Sequence, residues 1–170
     1  MSVRAPYGQN EESGSIRLGL DSRLFNPFSA EVMWNSFRLG KKEEFHVTLL
    51  HAKQSSKLAE VPNDDLAAFF NSFVEESPIS LISFIDDFRY AEEQEKKTIV
   101  IRCIVSNLNK LFVLFNQTYQ VQLPVQATHV TLYTLQKNAG IHIGSDEEMG
   151  RLQRVNLPEL DAALRATSLL

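Results

Sequence analysis

The chain has 170 residues, of which 44% are apolar and 22% are charged, and its formal net charge is −4 at neutral pH. This length and composition are typical of one globular domain with a substantial core. The negative charge argues against a surface for long duplex nucleic acid, which needs a basic excess, but it leaves room for a cleft that binds one phosphate or an RNA end.

The N-terminus and the cysteine content indicate the cellular setting. Residues 1–14 are polar, rich in Gly, Ser and Glu, and lack a secretory hydrophobic region, and no apolar run approaches the length that spans a bilayer. Cys103 is the only cysteine and lies in the apolar run TIVIRCIV, which indicates a buried structural thiol. We therefore predict a mobile tail over 1–14, one domain over 15–170 and a cytoplasmic protein without membrane association.

The first predicted element is a short strand over SIRLGL (15–20). Residues 21–42 mix aromatic and polar side chains with Pro and Gly, and we predict a loop there with one short helix around 30–37. EEFHVTLLH (43–51) has the alternation and the residue types of a strand.

The rest of the chain mixes helices and strands, which predicts an α+β fold. The signals are apolar residues at helical spacing, β-branched runs, and Asn, Asp and Pro at the helix starts. In chain order these elements are a helix that starts at Asn63–Asp65 and ends before Pro78, a hairpin of strands over 79–91 and 97–105, a helix after Asn107, a strand over 127–135, and a helix from Pro158 to about Leu169.

Two of the four histidines precede the same tripeptide, in FHVTLL (45–50) and THVTLY (128–133). Residues i and i+2 of a strand point to one face, so His46 projects with Thr48, and His129 projects with Thr131. Tyr133 continues the second row, while the intervening apolar residues form the backing. If both strands border one cleft, two imidazoles and two hydroxyls surround a small volume.

That set of side chains suits phosphoryl transfer without a metal. A neutral imidazole can take a proton from an attacking water or hydroxyl, and a protonated imidazole can give one to the leaving oxygen. The threonine hydroxyls can donate hydrogen bonds to the non-bridging oxygens, where negative charge is concentrated. The sequence offers no HExxH motif, no cysteine partners, and no carboxylate at ligand spacing beside either histidine, so we expect no metal.

The two motifs, His46-Val47-Thr48-Leu49 and His129-Val130-Thr131-Leu132, resemble those of the two-histidine (2H) phosphoesterase superfamily. The resemblance implies a bilobal α+β fold with pseudo-twofold symmetry and a central groove. It implies metal-independent cleavage or formation of phosphodiesters, with His46 and His129 as the acid–base pair and Thr48 and Thr131 as phosphate ligands. The expected partners are 2′,3′-cyclic phosphates, RNA ends, and 2′–5′-linked or cyclic nucleotides. We expect no cofactor, and a monomer.

Three further residues are candidates for substrate binding, each with a structural alternative. Tyr133 can stack on a base or pack in the core. His142, between Gly140 and Gly144, can approach a ligand or lie on a turn-flanked edge strand. Trp34 can form a stacking and phosphate-steering wall with Arg38, Lys41 and Lys42, or be the buried residue of a solvated loop. His51 is predicted on the opposite strand face, at the surface.

Two alternatives to the enzymatic interpretation are left open. The two motif histidines could be ordinary strand residues whose side chains are satisfied within the fold. The chain could also be a binding module that recognises a nucleotide or RNA end in the same groove without turnover. The sequence does not assign which histidine is the acid and which is the base.

Overall fold

The computed structural model describes residues 2–137 and 139–167, and its strands form one large antiparallel sheet. The nine strands of this region are β1 (Tyr7–Gln9), β2 (Ile16–Leu20), β3 (Glu31–Trp34), β4 (Phe37–Lys41), β5 (Phe45–Leu50), β6 (Leu81–Glu93), β7 (Lys96–Val105), β8 (His129–Thr134) and β9 (Gln153–Arg154). Its four α-helices are α1 (Asn63–Glu76), α2 (Leu108–Tyr119), α3 (Asp146–Arg151) and α4 (Pro158–Ala166). The predicted α+β class is confirmed.

The order of the strands places the two repeated motifs side by side. The sheet runs β1-β2-β5-β8-β7-β6-β9, and β3 joins it through β4, which also pairs with β8. One edge of β8 therefore meets β5 at Val130 and β4 at Tyr133 and Thr134. The other edge pairs with β7. The motif strand β8 thus lies at the centre of the sheet, next to the motif strand β5.

The apolar residues of both motifs belong to the main hydrophobic core. Val47 and Val130 are fully buried in one cluster with Phe70 of α1 and Phe115 of α2. Both helices carry apolar residues at helical spacing, so each offers one apolar face to this core. A smaller apolar cluster joins Val100 of β7 to the segment that contains α3. The main core therefore packs against one face of both motif strands.

Several predicted elements are confirmed, among them the strand near residues 15–20, the strand that carries His46, the helix from Asn63 and the hairpin of β6 and β7. Within the described part of the chain, no helix is long and apolar enough to cross a bilayer. The predicted final helix is present as α4, while residues 168 and 169 of that prediction lie outside the described residues.

The helix predicted around 30–37 is wrong, because this region forms the hairpin of β3 and β4. Its two turn residues, Asn35 and Ser36, both have positive φ, at 50° and 67°. Such a two-residue turn matches the twist of an antiparallel pair. Val32 and Leu39 face each other across the hairpin and are buried, which is the alternation of strands and not the spacing of a helix.

The mobile tail predicted for residues 1–14 also differs from the structure. Residues 7–9 form β1, which pairs with β2 at the edge of the sheet. The hydroxyl of Tyr7 donates a hydrogen bond of 2.8 Å to the carbonyl of Ile79, and Val3 is buried. The polar composition of residues 1–14 therefore gave no indication that Val3 and Tyr7 hold this segment against the sheet.

Candidate functional site

The pairing of β5 with β8 brings the four motif side chains together. Val47 and Val130 are partners across these antiparallel strands. The same register places His46 opposite Thr131 and Thr48 opposite His129. Because the valines point into the core, these four residues project from the other face of the sheet. They line one groove of about 380 Å³, called here the motif groove. That volume lies in the range of small-molecule sites.

His129 is almost fully buried in the motif groove, and its ring has a fixed tautomer. Its Nδ1 lies 2.9 Å from the carbonyl oxygen of Ala127. A carbonyl oxygen only accepts hydrogen bonds, so Nδ1 carries the proton and Nε2 of the neutral ring is left as an acceptor. Burial lowers the pKa of His129, and the hydrogen bond to Ala127 opposes this shift because it favours the protonated ring.

His46 is half-buried, and its pKa is lowered to about 4. Burial is the largest cause, because it disfavours the charged ring. The positive charges of Arg17 and Lys42 follow, and His129 contributes last. Both motif imidazoles are therefore neutral near pH 7 in the free protein. A bound anion would favour protonation of either ring.

Two half-buried cations border the motif groove. Arg17 lies on β2 directly across from Thr48, and the backbone N–H of Lys42 donates a hydrogen bond of 2.9 Å to the carbonyl of Leu132. The pKa of Lys42 is lowered, mainly by burial and then by Arg17, while Glu44 opposes the shift. Among the described residues, no carboxylate forms an ion pair with either cation. Glu44 also lines the groove, but it is exposed, so two half-buried cations stand against one exposed carboxylate. The groove thus offers positive charge to an anionic ligand.

A second pair of histidines lies at the end of the motif groove beyond Thr48. The rings of His51 and His142 have centroids 4.2 Å apart and are tilted by 41°. The His142 Nε2–H donates to Oε1 of Gln54 over 3.0 Å, and a side chain at Gly144 would crowd this contact. Burial first, and then the charge of His142, lowers the pKa of His51 to about 4. All four histidines therefore line the same groove.

His51 follows the end of β5, as predicted, but it lies on the groove side and not on the opposite face, because strand alternation stops before it. β5 ends at Leu50, and His51 has φ −124° and ψ 72°, which leads into a short 3₁₀ turn at Ala52. The ring consequently turns toward the groove. His142 lies in an irregular segment and reaches the groove, so the predicted edge strand is not present at this residue.

Tyr133 does not line the motif groove, and a bulge in β8 explains this. Thr131 pairs with Val100, but Tyr133 pairs with Ile99, so β8 contains one extra residue between these pairs. The extra residue turns Tyr133 to the core face together with Ile99. Its ring is fully buried, and its hydroxyl donates a hydrogen bond of 3.0 Å to the carbonyl of Ser29.

The stacking and phosphate-steering surface predicted around Trp34 also does not form at the motif groove. Trp34 packs against the main core and does not line the motif groove. Arg38 approaches Glu31 at 3.7 Å, and the ammonium group of Lys41 donates hydrogen bonds to the backbone carbonyls of Phe25 and Phe28. Only Lys42 of this set reaches the groove. Sequence reasoning did not select Arg17, because its place beside Thr48 depends on the pairing of β2 with β5.

A larger cavity, of about 470 Å³, lies between β7 and α2. Its polar lining includes Arg102 and Asp146, which form an ion pair of 3.0 Å with each other. The lining also includes the apolar residues Ile104 and Val125. The motif groove is the better candidate despite its smaller volume, because it combines all four histidines with two cations that form no ion pair with any described residue.

Comparisons with protein-family models, with curated proteins and with solved structures found no match for this chain. Within the described residues, no group of three or more His, Cys, Asp or Glu side chains is placed to hold a metal ion. A function therefore has to be inferred from the motif groove itself.

Proposed function

We propose that the chain is a metal-independent phosphoesterase of the two-histidine type. Its substrates are phosphodiesters of nucleotides or RNA ends, such as a 2′,3′-cyclic phosphate, a 2′–5′ linkage or a cyclic nucleotide. The supporting observation is the register of β5 against β8, which sets His46 opposite Thr131 and Thr48 opposite His129. We further propose that the two motifs belong to two pseudo-symmetric lobes around the motif groove, in the bilobal arrangement of that superfamily.

The hydrolytic step needs one proton acceptor and one proton donor. Nε2 of neutral His129 is free to accept, so we assign this ring as the base that takes a proton from the attacking water. A bond forms between the water oxygen and phosphorus, and the bond from phosphorus to the 2′ or 3′ oxygen breaks. His46, protonated in the complex, gives its proton to that oxygen, so a cyclic diester becomes a monoester.

The remaining residues of the groove stabilise the reacting phosphate. The hydroxyls of Thr48 and Thr131 donate to its non-bridging oxygens, where the negative charge of the transition state lies. Each hydroxyl belongs to a strand that is backed by a fully buried valine, so its position is fixed before the substrate binds. The positive charge that attracts the substrate comes from Arg17 and Lys42, since both motif histidines are neutral in the free protein.

Hydrolysis of 2′,3′-cyclic nucleotides, 2′–5′ and 3′–5′ dinucleotides and cyclic dinucleotides tests this function. We expect turnover of at least one of these substrates, and activity that survives EDTA. His46→Ala and His129→Ala should each lower kcat about 10²–10⁴-fold, the usual contribution of a positioned acid or base. Thr118→Ala, on an exposed position of α2, is the control and should keep the full rate.

Two results would contradict the proposal: loss of activity on chelation, or a near-normal rate in His46→Ala. Binding of a nucleotide without turnover of any diester would favour the non-catalytic binding module instead. Because a single chain supplies all four motif side chains, we also propose that the protein acts as a monomer. A cytoplasmic location remains our expectation, in keeping with the single buried thiol of Cys103.

A further inference from the structure

Arg17 differs from the other arginines in how its charge is balanced. The chain has nine arginines, and within the described residues seven of them form ion pairs with carboxylates. Of the other two, Arg165 is exposed to solvent, while Arg17 is half-buried in the motif groove. A guanidinium stays charged at any physiological pH, so partial burial without a counter-charge costs free energy unless an anion binds there.

Lys42 is also half-buried in the motif groove, and among the described residues it forms no ion pair, although the exposed carboxylate of Glu44 in the same groove offsets part of its charge. Both cations lower the pKa of His46, and Arg17 lowers that of Lys42. Neither is among the causes of the shift at His129, which are burial and the hydrogen bond to Ala127. The two cations and His46 line the same groove, and the charges of both cations act on His46.

The backbone places both cations outside the four motif residues. Arg17 lies on the strand next to Thr48, about 4.8 Å further out at ordinary strand spacing. Lys42 bonds to Leu132, one residue beyond Thr131, and precedes β5. A phosphate held between His46 and His129 already receives donors from the two threonines. The cations are better placed for a group that extends from that phosphate toward the rim of the groove.

We propose that Arg17 and Lys42 form a binding site for a second phosphate, one nucleoside away from the reacting diester. This inference rests on the proposed function, because it names the substrate class of the same groove. Arginine offers a planar fork of donors that matches two phosphate oxygens, and lysine adds a point charge. Both donors lie beyond the four motif residues, so they suit a phosphate other than the one that the threonines hold.

Two kinds of nucleotide carry a second phosphate one nucleoside away from the reacting diester. One is a mononucleotide that carries a 5′-phosphate in addition to its 2′,3′-cyclic phosphate. The other is the end of an RNA strand, in which the neighbouring phosphodiester occupies the second site. The two share the same recognition chemistry, so binding has to be measured with both.

Calorimetric titration tests the second phosphate independently of turnover. The ligands are adenosine 3′-monophosphate, adenosine 3′,5′-bisphosphate and a diadenosine dinucleotide with a 3′-terminal phosphate. The proteins are the wild type, the double variant Arg17→Gln/Lys42→Gln, and the control Lys96→Gln/Arg165→Gln. The control removes the same charge from two exposed positions outside the motif groove. Thermal unfolding of each variant shows whether it is folded.

We expect the wild type and the control to bind at least one two-phosphate ligand about tenfold or more tightly than the monophosphate, the scale of charge-assisted hydrogen bonds. In the double variant this ratio should fall to about one, because the two-phosphate ligand loses more affinity than the monophosphate does. Preference for the bisphosphate identifies a mononucleotide substrate, and preference for the dinucleotide identifies an RNA end.

Equal wild-type affinity for all three ligands would overturn the inference, and this comparison needs no variant. An equal loss of affinity for one-phosphate and two-phosphate ligands in the double variant would also overturn it, because the cations would then hold the reacting phosphate. The proposed function fails separately. If no diester is turned over but the tenfold ratio persists, the protein is not a phosphoesterase, and the binding site for a second phosphate is still supported.

Discussion

Replacement of His46 by glutamine should change how the stability of the protein depends on pH. Burial and the charges of Arg17 and Lys42 lower the pKa of His46 to about 4, from an ordinary value of 6.5. As the pH falls below 6.5, the unfolded chain takes up a proton on this ring and the folded chain does not. Unfolding is therefore favoured progressively between pH 6.5 and pH 4, and this loss is absent above pH 7.

The size of the effect follows from the two pKa values. With one pKa unit equal to about 1.4 kcal/mol, protonation of His46 in the unfolded state lowers the free energy of unfolding by about 2 kcal/mol at pH 5 relative to pH 7.5. His46→Gln has no titrating group at this position, so it avoids that loss. His51, whose pKa is also about 4, is present in both proteins and cancels in the comparison.

Urea unfolding of the wild type and His46→Gln at pH 7.5 and pH 5 measures this difference. We expect the variant to gain about 2 kcal/mol relative to the wild type between the two pH values, whatever their difference at pH 7.5. Thr118→Ala should follow the wild type at both. If His46→Gln and the wild type lose the same free energy on acidification, His46 has an ordinary pKa and is not desolvated by the groove.

Three other predictions concern single side chains of the groove and the core. In nuclear magnetic resonance titrations, adenosine 3′-monophosphate should raise the pKa of His46, because the anion favours the protonated ring; an unchanged pKa would place the phosphate elsewhere. Thr131→Val should lower kcat/KM about 10²-fold, since its hydroxyl donates to the phosphate in the proposed mechanism, while Thr118→Ala keeps the wild-type rate. Tyr133→Phe should lower the free energy of unfolding by about 1–2 kcal/mol through the lost hydrogen bond to Ser29 and leave kcat/KM unchanged; a large kinetic effect would mean that Tyr133 reaches the substrate.

The elements that the sequence predicts well have a strong periodicity of their own. Apolar residues recur at helical spacing in α1, and β-branched residues fill β7, so local sequence is sufficient for both. The hairpin of β3 and β4 lacks such a signal. Its turn is Asn35-Ser36 and not the usual Asn-Gly, and its alternating apolar residues are interrupted by exposed aromatic and charged residues.

Local sequence likewise predicts only some residues of the candidate site. The four motif residues can be found from the repeated tripeptide and the two-residue period of a strand. Arg17 and His51 cannot, because the first depends on the pairing of β2 with β5 and the second on the end of β5. The two-residue period that correctly places Thr131 in the groove wrongly places Tyr133 there, because a bulge lies between the two residues. Pairing and bulges depend on the whole sheet.

In the proposed mechanism, the protonation of His46 depends on the bound substrate. Burial, and then the charges of Arg17 and Lys42, keep this ring neutral in the free protein, yet the proposed reaction needs it protonated. A substrate phosphate next to His46 reverses the local field, and a second phosphate on the two cations neutralises the charges that lower its pKa. The acid is then formed only when the anion is bound, so binding and protonation favour each other.

This coupling should be visible in the pH dependence of the rate. The profile of kcat/KM reports the pKa values of the free enzyme, and the profile of kcat reports those of the complex. We therefore expect the alkaline limb of kcat to lie at higher pH than that of kcat/KM. Arg17→Gln should move the limb of kcat/KM upward, because His46 then loses one cause of its low pKa. Coincident alkaline limbs in the wild type would show that substrate binding does not raise the pKa of His46. The general acid would then be another residue of the groove.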